Sequence, residues 1–468
     1  MKINGIIAEY NPFHNGHLFH LEESKRLTGA DCTVVVMSGN FVQRGAPALA
    51  DKHVRTRMAL LGGADLVLEL PVLYAAASSE YFAAGAVALL DKLGAVTHLC
   101  FGSECGDMAL LRQIAAFLTE EPAEYREDLK RLLKQGLSYP MARAEALAAR
   151  SRSGAVRSGD GTVRSEGGTV RSEGGNGLPS SRLPHPEECR RVLSSPNNIL
   201  GIDYMKEIIR RKSEMIPVTV KRIGAGYHDA LTPEIPETVP ASALPDSLPQ
   251  KHSEQAQTSV CTSALSIRRA LREGRTPEGL RPFMPENTVE LLAECLARNA
   301  CADPEDFSGI LYYKLLLEKD RGYEQYLDVS GDLSNRIRNN LNAFAGFSSF
   351  CSLLKTREIT HTRISRCLLH ILLDIKKEDM QLGRALDYAP YARVLGFRRT
   401  AEPLLGALKA HCAIPLITRM ADAKKSLPEE AGRLLKMDLL AGEIYRGVVR
   451  GETGQPVPGE FSAPLIIL

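Results

Sequence analysis

The feature that most restricts the fold is a regular alternation of strand and helix patterns over the first hundred or so residues. Ile3 to Ala8 is an apolar run, followed by a helical pattern from Leu18 to Leu27. Cys32 to Met37 is a second run, rich in β-branched residues; a helical pattern covers Asp51 to Leu61, and Asp65 to Leu70 is a third run stopped by Pro71. An alanine-rich helical pattern from Ala75 to Leu93 and a run from Val96 to Phe101 complete the series. Short buried strands separated by helices predict an α/β fold: a parallel sheet with right-handed crossovers and helices on both faces. Ligands of such sheets bind beyond the carboxyl ends of the strands. That rule singles out four loops: Glu9 to His17, Ser38 to Gly45, the stretch after Pro71, and Gly102 to Asp107.

The rest of the chain reads differently. With 468 residues, two or three domains are expected. From about 151 to 183 the triplet Val-Arg-Ser recurs at 156, 163 and 170 among Gly, Thr and Glu. One apolar residue per repeat cannot form a coiled-coil seam, so this reads as a disordered insertion, as does the Pro-, Ser- and Glu-rich stretch 233–260. The catalytic part is expected to span 1–275. A separate, helical domain is expected over 276–468, with helices at Val289 to Arg298, Ser308 to Lys319, Asn335 to Phe344 and Ile364 to Ile375. No stretch approaches the ~20 apolar residues of a membrane span. The N-terminus has no signal-peptide layout, so a cytoplasmic location without membrane partner is expected. The ten cysteines include no Cys-x-x-Cys pair, and Cys100 with Cys105 fits no common zinc template; they read as reduced core thiols. A net charge of +2 says nothing about nucleic acid.

The first loop carries the chemistry. Glu9-Tyr10-Asn11-Pro12-Phe13-His14-Asn15-Gly16-His17 joins the first strand to the first helix. Unpaired N–H groups at a helix start form an anion site, and Gly16 admits a phosphate close to the backbone. His14 and His17, three apart, can face one pocket and donate to phosphate oxygens and to departing pyrophosphate. Neither needs to be a nucleophile. A zinc site from His14, His17 and His20 suits the glycine turn less well than a phosphate does. Lys52 at the start of the second helix, with Arg55 and Arg44 nearby, is expected to hold the triphosphate; of these Lys52 is the preferred residue.

This loop resembles that of the bacterial tRNA(Met) cytidine acetate ligase family, within the His-x-Gly-His nucleotidylyltransferase superfamily. Further stretches carry the likeness: Val36-Met37-Ser38-Gly39, Gln43-Arg44-Gly45, Phe101-Gly102-Ser103-Glu104, Gly136-Leu137-Ser138-Tyr139-Pro140, Pro196 to Gly201, Arg222-Ile223, Tyr227-His228-Asp229, and Ala389 to Arg393. It covers the chain apart from the two low-complexity stretches. The resemblance implies a Rossmann-like parallel-sheet nucleotidylyltransferase domain followed by a mostly α-helical domain. It implies that acetate attacks the α-phosphate of ATP, and that acetyl-adenylate then acetylates N4 of the wobble cytidine of elongator tRNA(Met). Mg2+ is a candidate companion ion; no metal ligands and no obligate protein partner are implied. The family's ATP contacts carry over to Ile7, Ala8, Glu9, Tyr10, Asn11, Pro12, Phe13, His14, Asn15, Gly16, His17, Leu18, Phe19 and His20, and to Gly102, Asn197 and Arg222. Asn197 also reads as a helix cap, and Arg222 as a surface ion pair. One departure is Leu265, within Ser263-Ala264-Leu265-Ser266-Ile267-Arg268, where the superfamily usually has threonine. Arg268 is kept as a phosphate ligand.

Lys355, Arg357, Arg363 and Arg366, opposed locally by Glu358 alone, form the expected tRNA-binding cluster, with Lys376, Lys377, Arg393, Arg398 and Arg399 beyond. Two other readings stand beside this one. The chain could be a small-molecule nucleotidylyltransferase that moves AMP onto a phosphorylated metabolite, or a tRNA-binding protein without catalysis.

Overall fold

The computed structural model describes residues 1–156, 183–222, 262–454 and 459–468. The expected alternation appears as β1 (Ile3–Ala8), α1 (Asn15–Thr28), β2 (Cys32–Ser38), a two-stranded ribbon of β3 (Phe41–Val42) and β4 (Ala46–Pro47), α2 (Lys52–Leu61) and β5 (Leu66–Leu70). The alanine-rich segment is not one helix: Val72–Ala75 and Ser79–Lys92 are separate, the second starting after Ser78. β6 (His98–Ser103) and β7 (Ile216–Lys221) follow.

Strands β5, β2, β1, β6 and β7 lie side by side in that order, all parallel. Alternation along each strand feeds two cores. Val34, Val36, Leu66 and Leu68 pack on the side of helix Ser79–Lys92, whereas Val35, Met37 and Val67 face Leu21 of α1 and Met58 of α2. Both faces are therefore covered, as a parallel sheet requires.

The division expected at 275/276 is not a division of the sheet. β8 (Ala392–Phe397) pairs antiparallel with β5, and β9 (Leu416–Ile417) and β10 (Ile466–Ile467) pair parallel with β8. The Ala-Arg-Val-Leu-Gly-Phe run of β8 is buried along most of its length. It was hidden among helical patterns because six residues are too few to display a period. The four helices expected after 276 are present, as Glu286–Ala297, Ser308–Glu318, Gly331–Asn340 and His361–Leu372.

Residues 151–156 of the first low-complexity stretch extend helix Tyr139–Val156. The Ser151 hydroxyl donates to the Pro184 carbonyl, so the described ends of this stretch meet. The remainder up to 182, and all of 233–260, lie outside the described residues, as do Ile223 and Tyr227 to Asp229. Among the described residues no helix is long and apolar enough to cross a membrane.

Candidate active site

A cavity of about 1890 Å³ opens at the carboxyl ends of β1, β6 and β7, and all four loops singled out by the strand-end rule reach toward it or line it. Of the run Ile7 to His20, all but Pro12, Phe13, Asn15 and Leu18 line this cavity. Those four have other work or other places. Phe13 is fully buried in the core under Gly62, and the Asn15 amide donates to the Pro282 carbonyl at 2.8 Å.

The two histidines are held by the start of α1 itself. His14 is the N-cap; its Nδ1 accepts from the Gly16 N–H at 3.0 Å, while His17 Nδ1 accepts from the His14 N–H at 3.3 Å. This is a capping box built from imidazoles in place of hydroxyl and carboxylate. An Nδ1 that accepts leaves the proton of a neutral ring on Nε2. Both rings thus present an N–H donor on the edge away from the helix backbone, and they stack with centroids 3.7 Å apart. Burial, reinforced by Arg222 and Arg268, pushes His14 down to about 3. Burial, then His14 and Arg222, lowers His17 strongly, and burial with Arg222 brings His20 to about 4. At neutral pH the rings are uncharged donors. Gly16 has a second reason to be glycine: a Cβ there would stand 2.9 Å from His14 Cε1 and push the ring out of place.

The loop before the histidines is braced from several directions. The Asn11 Oδ1 accepts from Leu49 N at 2.8 Å, and its carbonyl accepts from the Arg268 guanidinium. Glu9 Oε1 accepts from Gln43 N at 2.9 Å, which ties the loop to the ribbon. Arg55 is fully buried and donates to the carbonyls of Glu9, Ser38, Gly39 and Ala50. It is a strut joining two strand ends and does not reach the cavity as a phosphate ligand.

Lys52, too, departs from the expectation of a triphosphate ligand. It is 1 % exposed, and its Nζ lies 2.8 Å from Glu69 and 2.8 Å from Glu460. Arg393 completes a square, 2.9 Å from Glu69 and bonded to Glu460. Lys52 therefore does not line the cavity, and Arg393 offers no charge to an RNA. The first turn of α2 points inward, toward carboxylates from β5 and from the segment before β10. Arg44 of the same trio does line the cavity.

Arg222, just past β7, and Gly102 of β6 line the cavity side by side. At Gly102 a Cβ would have no protein atom closer than 3.5 Å, so the space it leaves open belongs to the cavity. Asn197 also lines the cavity, and its amide donates to Glu104 Oε1 at 2.7 Å. Glu104 also accepts from Asn198 N at 2.9 Å, so a carboxylate already caps this helix and leaves no anion site at its end. Ser263 caps helix Ala264–Arg272 by accepting from Ser266 N at 3.1 Å, so Leu265 costs no cap; its side chain lines the cavity wall.

Arg357, Arg363 and Arg366 line the same cavity, and Lys355, two residues before Arg357, is exposed. The polar group Ser79, Arg143 and Asp203 had no signal in the sequence. Arg143 pairs with Asp203 at 2.9 Å, and Ser79 donates to Asp203 at 2.8 Å. Asp203 sits mid-helix, where spacing alone reads as an ordinary helix face. Among the described residues no three His, Cys, Asp or Glu side chains are placed to hold a metal ion.

The model of the HIGH nucleotidyl transferase family matches residues 1–251 and 247–455. The tRNA(Met) cytidine acetate ligase of Acetivibrio thermocellus is 36 % identical over 475 aligned positions, covering 100 % of both chains. That of a Thermoanaerobacter species is 37 % identical, covering 95 % of each chain. The crystal structure of Thermotoga maritima TmcAL bound with alpha-thio ATP superposes with a TM-score of 0.81 at 29 % identity over 100 % of both chains. A loop of imidazole donors at the first strand end, in a sheet extended by the C-terminal half, is thus found where sequence and structure both match: the chain belongs to the HIGH nucleotidyl transferase family and, within it, to the tRNA(Met) cytidine acetate ligase family.

Proposed function

We propose that the chain activates acetate with ATP and acetylates N4 of the wobble cytidine in elongator tRNA(Met). The observation that carries this reading is the pair of imidazoles, Nδ1 accepting and Nε2 left to donate, lining a cavity that Arg336, Arg357, Arg363 and Arg366 also line. In the first step an acetate oxygen attacks the α-phosphorus of ATP, the bond to the bridging oxygen breaks, and pyrophosphate leaves. His14 and His17 donate to oxygens that gain charge, while Arg222 and Arg268 supply fixed positive charge nearby. Neutral rings suit this task because they need no proton exchange to act. In the second step the N4 amine attacks the acetyl carbonyl carbon, the acyl–oxygen bond breaks, AMP leaves, and N4 gives up a proton. A free carboxylate is a poor electrophile and a cytosine amine a weak nucleophile, so the mixed anhydride and the shared enclosure supply reactivity and orientation.

The ATP contacts are assigned to the cavity-lining residues between Ile7 and His20, with Gly102, Asn197, Arg222 and Arg268. The tRNA contacts are Lys355, Arg357, Arg363 and Arg366. Mg2+ would arrive with the triphosphate, the usual way that ion is held. The names of the relatives and the ATP analogue carried by the Thermotoga maritima protein support the reading. The test is incubation with ATP and labelled acetate, with and without tRNA. Acetate-dependent pyrophosphate release in both, and label in cytidine only with tRNA, is expected. AMP moved onto a metabolite, or tRNA left unlabelled, would overturn it.

A further inference from the structure

The cavity is about 1890 Å³, well beyond the roughly 300–1000 Å³ usual for one small ligand. Besides the residues around the histidine loop, its lining includes a wall drawn from residues 328–366. That wall contributes Arg336, Arg357, Arg363 and Arg366 against Asp328, Asp332 and Glu358, and Arg44 faces it from the ribbon. Arg366 is largely enclosed, its side chain 13 % exposed. Its Nε has no hydrogen-bond partner among the described residues, and the nearest carboxylate oxygen, of Asp328, stands off at 3.8 Å. Among the described residues the Arg363 guanidinium donates to the Asp328 carbonyl at 3.5 Å. Burial, together with Arg363 and Arg44, lowers the Arg366 pKa, as expected where like charges crowd a partly dry site.

This wall is fastened to the nucleotide end. The ribbon turn lies directly on helix His361–Leu372. A Cβ on Gly45 would be 2.4 Å from Arg366 N, and the Ser365 hydroxyl donates to the Gly45 carbonyl at 2.8 Å. The same ribbon holds Glu9 through Gln43 N. Histidine loop, ribbon and arginine wall are therefore set at a fixed separation within one enclosure.

An enclosed guanidinium whose Nε is unpartnered among the described residues, beside two further arginines, calls for a multivalent oxyanion. We propose that Arg366, with Arg363 and Arg44 beside it, binds the backbone phosphate adjoining the nucleotide that is acetylated. The clamp grips the reacting nucleotide inside the cavity and sets how far its amine reaches toward the adenylate. This rests on the reading of the chain as an RNA-acetylating enzyme. The same chemistry could be met by the phosphates of ATP, and the experiment separates the two sources.

The test is a chemical double-substitution cycle on the full-length protein. A synthetic anticodon stem-loop carries an uncharged methylphosphonate at one linkage or the other flanking the target cytidine. Its affinity for the wild type, Arg366→Gln and the more exposed Arg363→Ala is measured at several salt concentrations. One flanking linkage should weaken wild-type binding about tenfold when neutralised, and Arg366→Gln should weaken the native loop by about the same factor. Together they should cost no more than either alone, with the salt slope smaller by about one. Penalties that multiply, or no effect at either linkage, overturn the assignment. A raised KM for ATP in RNA-free pyrophosphate release by Arg366→Gln would give these cations to the nucleotide, and also overturns it. If the wild type shows the phosphate signature yet transfers no acetyl group, the clamp stands and the proposed reaction fails.

Discussion

The histidine box and the buried square of Lys52, Glu69, Arg393 and Glu460 are built in opposite ways. His14 and His17 take their geometry from backbone N–H groups within three residues of themselves. The square draws on α2, β5, β8 and the segment before β10, which are far apart in the chain. A local device can be read from a short motif and survives changes elsewhere. A long-range device is silent in the sequence, and fails entirely when one corner is lost.

Four experiments press on that contrast, starting with the largest effect. Glu460→Ala leaves two buried cations facing one carboxylate, and breaking a buried pair in this way costs about 3–5 kcal/mol. Denaturant unfolding should show that loss, whereas the same change measured at under 1 kcal/mol would mean that the square is wetter than its burial implies. His17→Ala should do the reverse. Stability should move little, while acetate-dependent pyrophosphate release falls about 100- to 1000-fold, the usual cost of removing a donor to developing charge. Affinity for tRNA should stay within about twofold, and normal turnover would remove this loop from the chemistry. Gly16→Ala is a smaller push: a Cβ 2.9 Å from His14 Cε1 should tilt the ring and cost about tenfold in the same assay, with folding intact. A rate equal to wild type would show that the ring yields freely.

The pH response is the gentlest test. His14 and His20 are held near 3 and 4, below the usual value of 6.5 in the unfolded chain. Unfolded chains therefore take up protons that the native state refuses between about pH 6.5 and 4, so stability should decline as pH falls through that window and level off above it. His20→Asn should flatten part of the slope. An unchanged slope would place the acid sensitivity in other groups.

The same contrast explains what could be read beforehand. Four of the strands, β1, β2, β5 and β6, follow apolar runs visible in the sequence, and their carboxyl ends point to the cavity. Gly16, His14 and His17 were legible because a turn, a cap and a donor pair fit within four residues. Lys52 was misread because a lysine at a helix start looks the same whether it meets a phosphate or a glutamate from a distant segment. Arg393 was misread for the same reason, since Glu69 and Glu460 bury its charge. β8 escaped because two turns of helix and six residues of strand look alike when both are buried. Asp203 with Arg143 had no local mark, as a helix interior hides which of its side chains turns toward a cavity.

The square has a consequence for how the protein comes to be made. Lys52 leaves the ribosome on the order of 20–80 s before Glu460, at translation speeds of about 5–20 residues per second. Until Glu460 is made the ammonium has Glu69 alone, and Arg393, which emerges shortly before Glu460, adds a second cation whose own carboxylate comes last. The early strands can pair as they emerge, yet the charges beside α2 reach their full set of partners only when the last corner arrives.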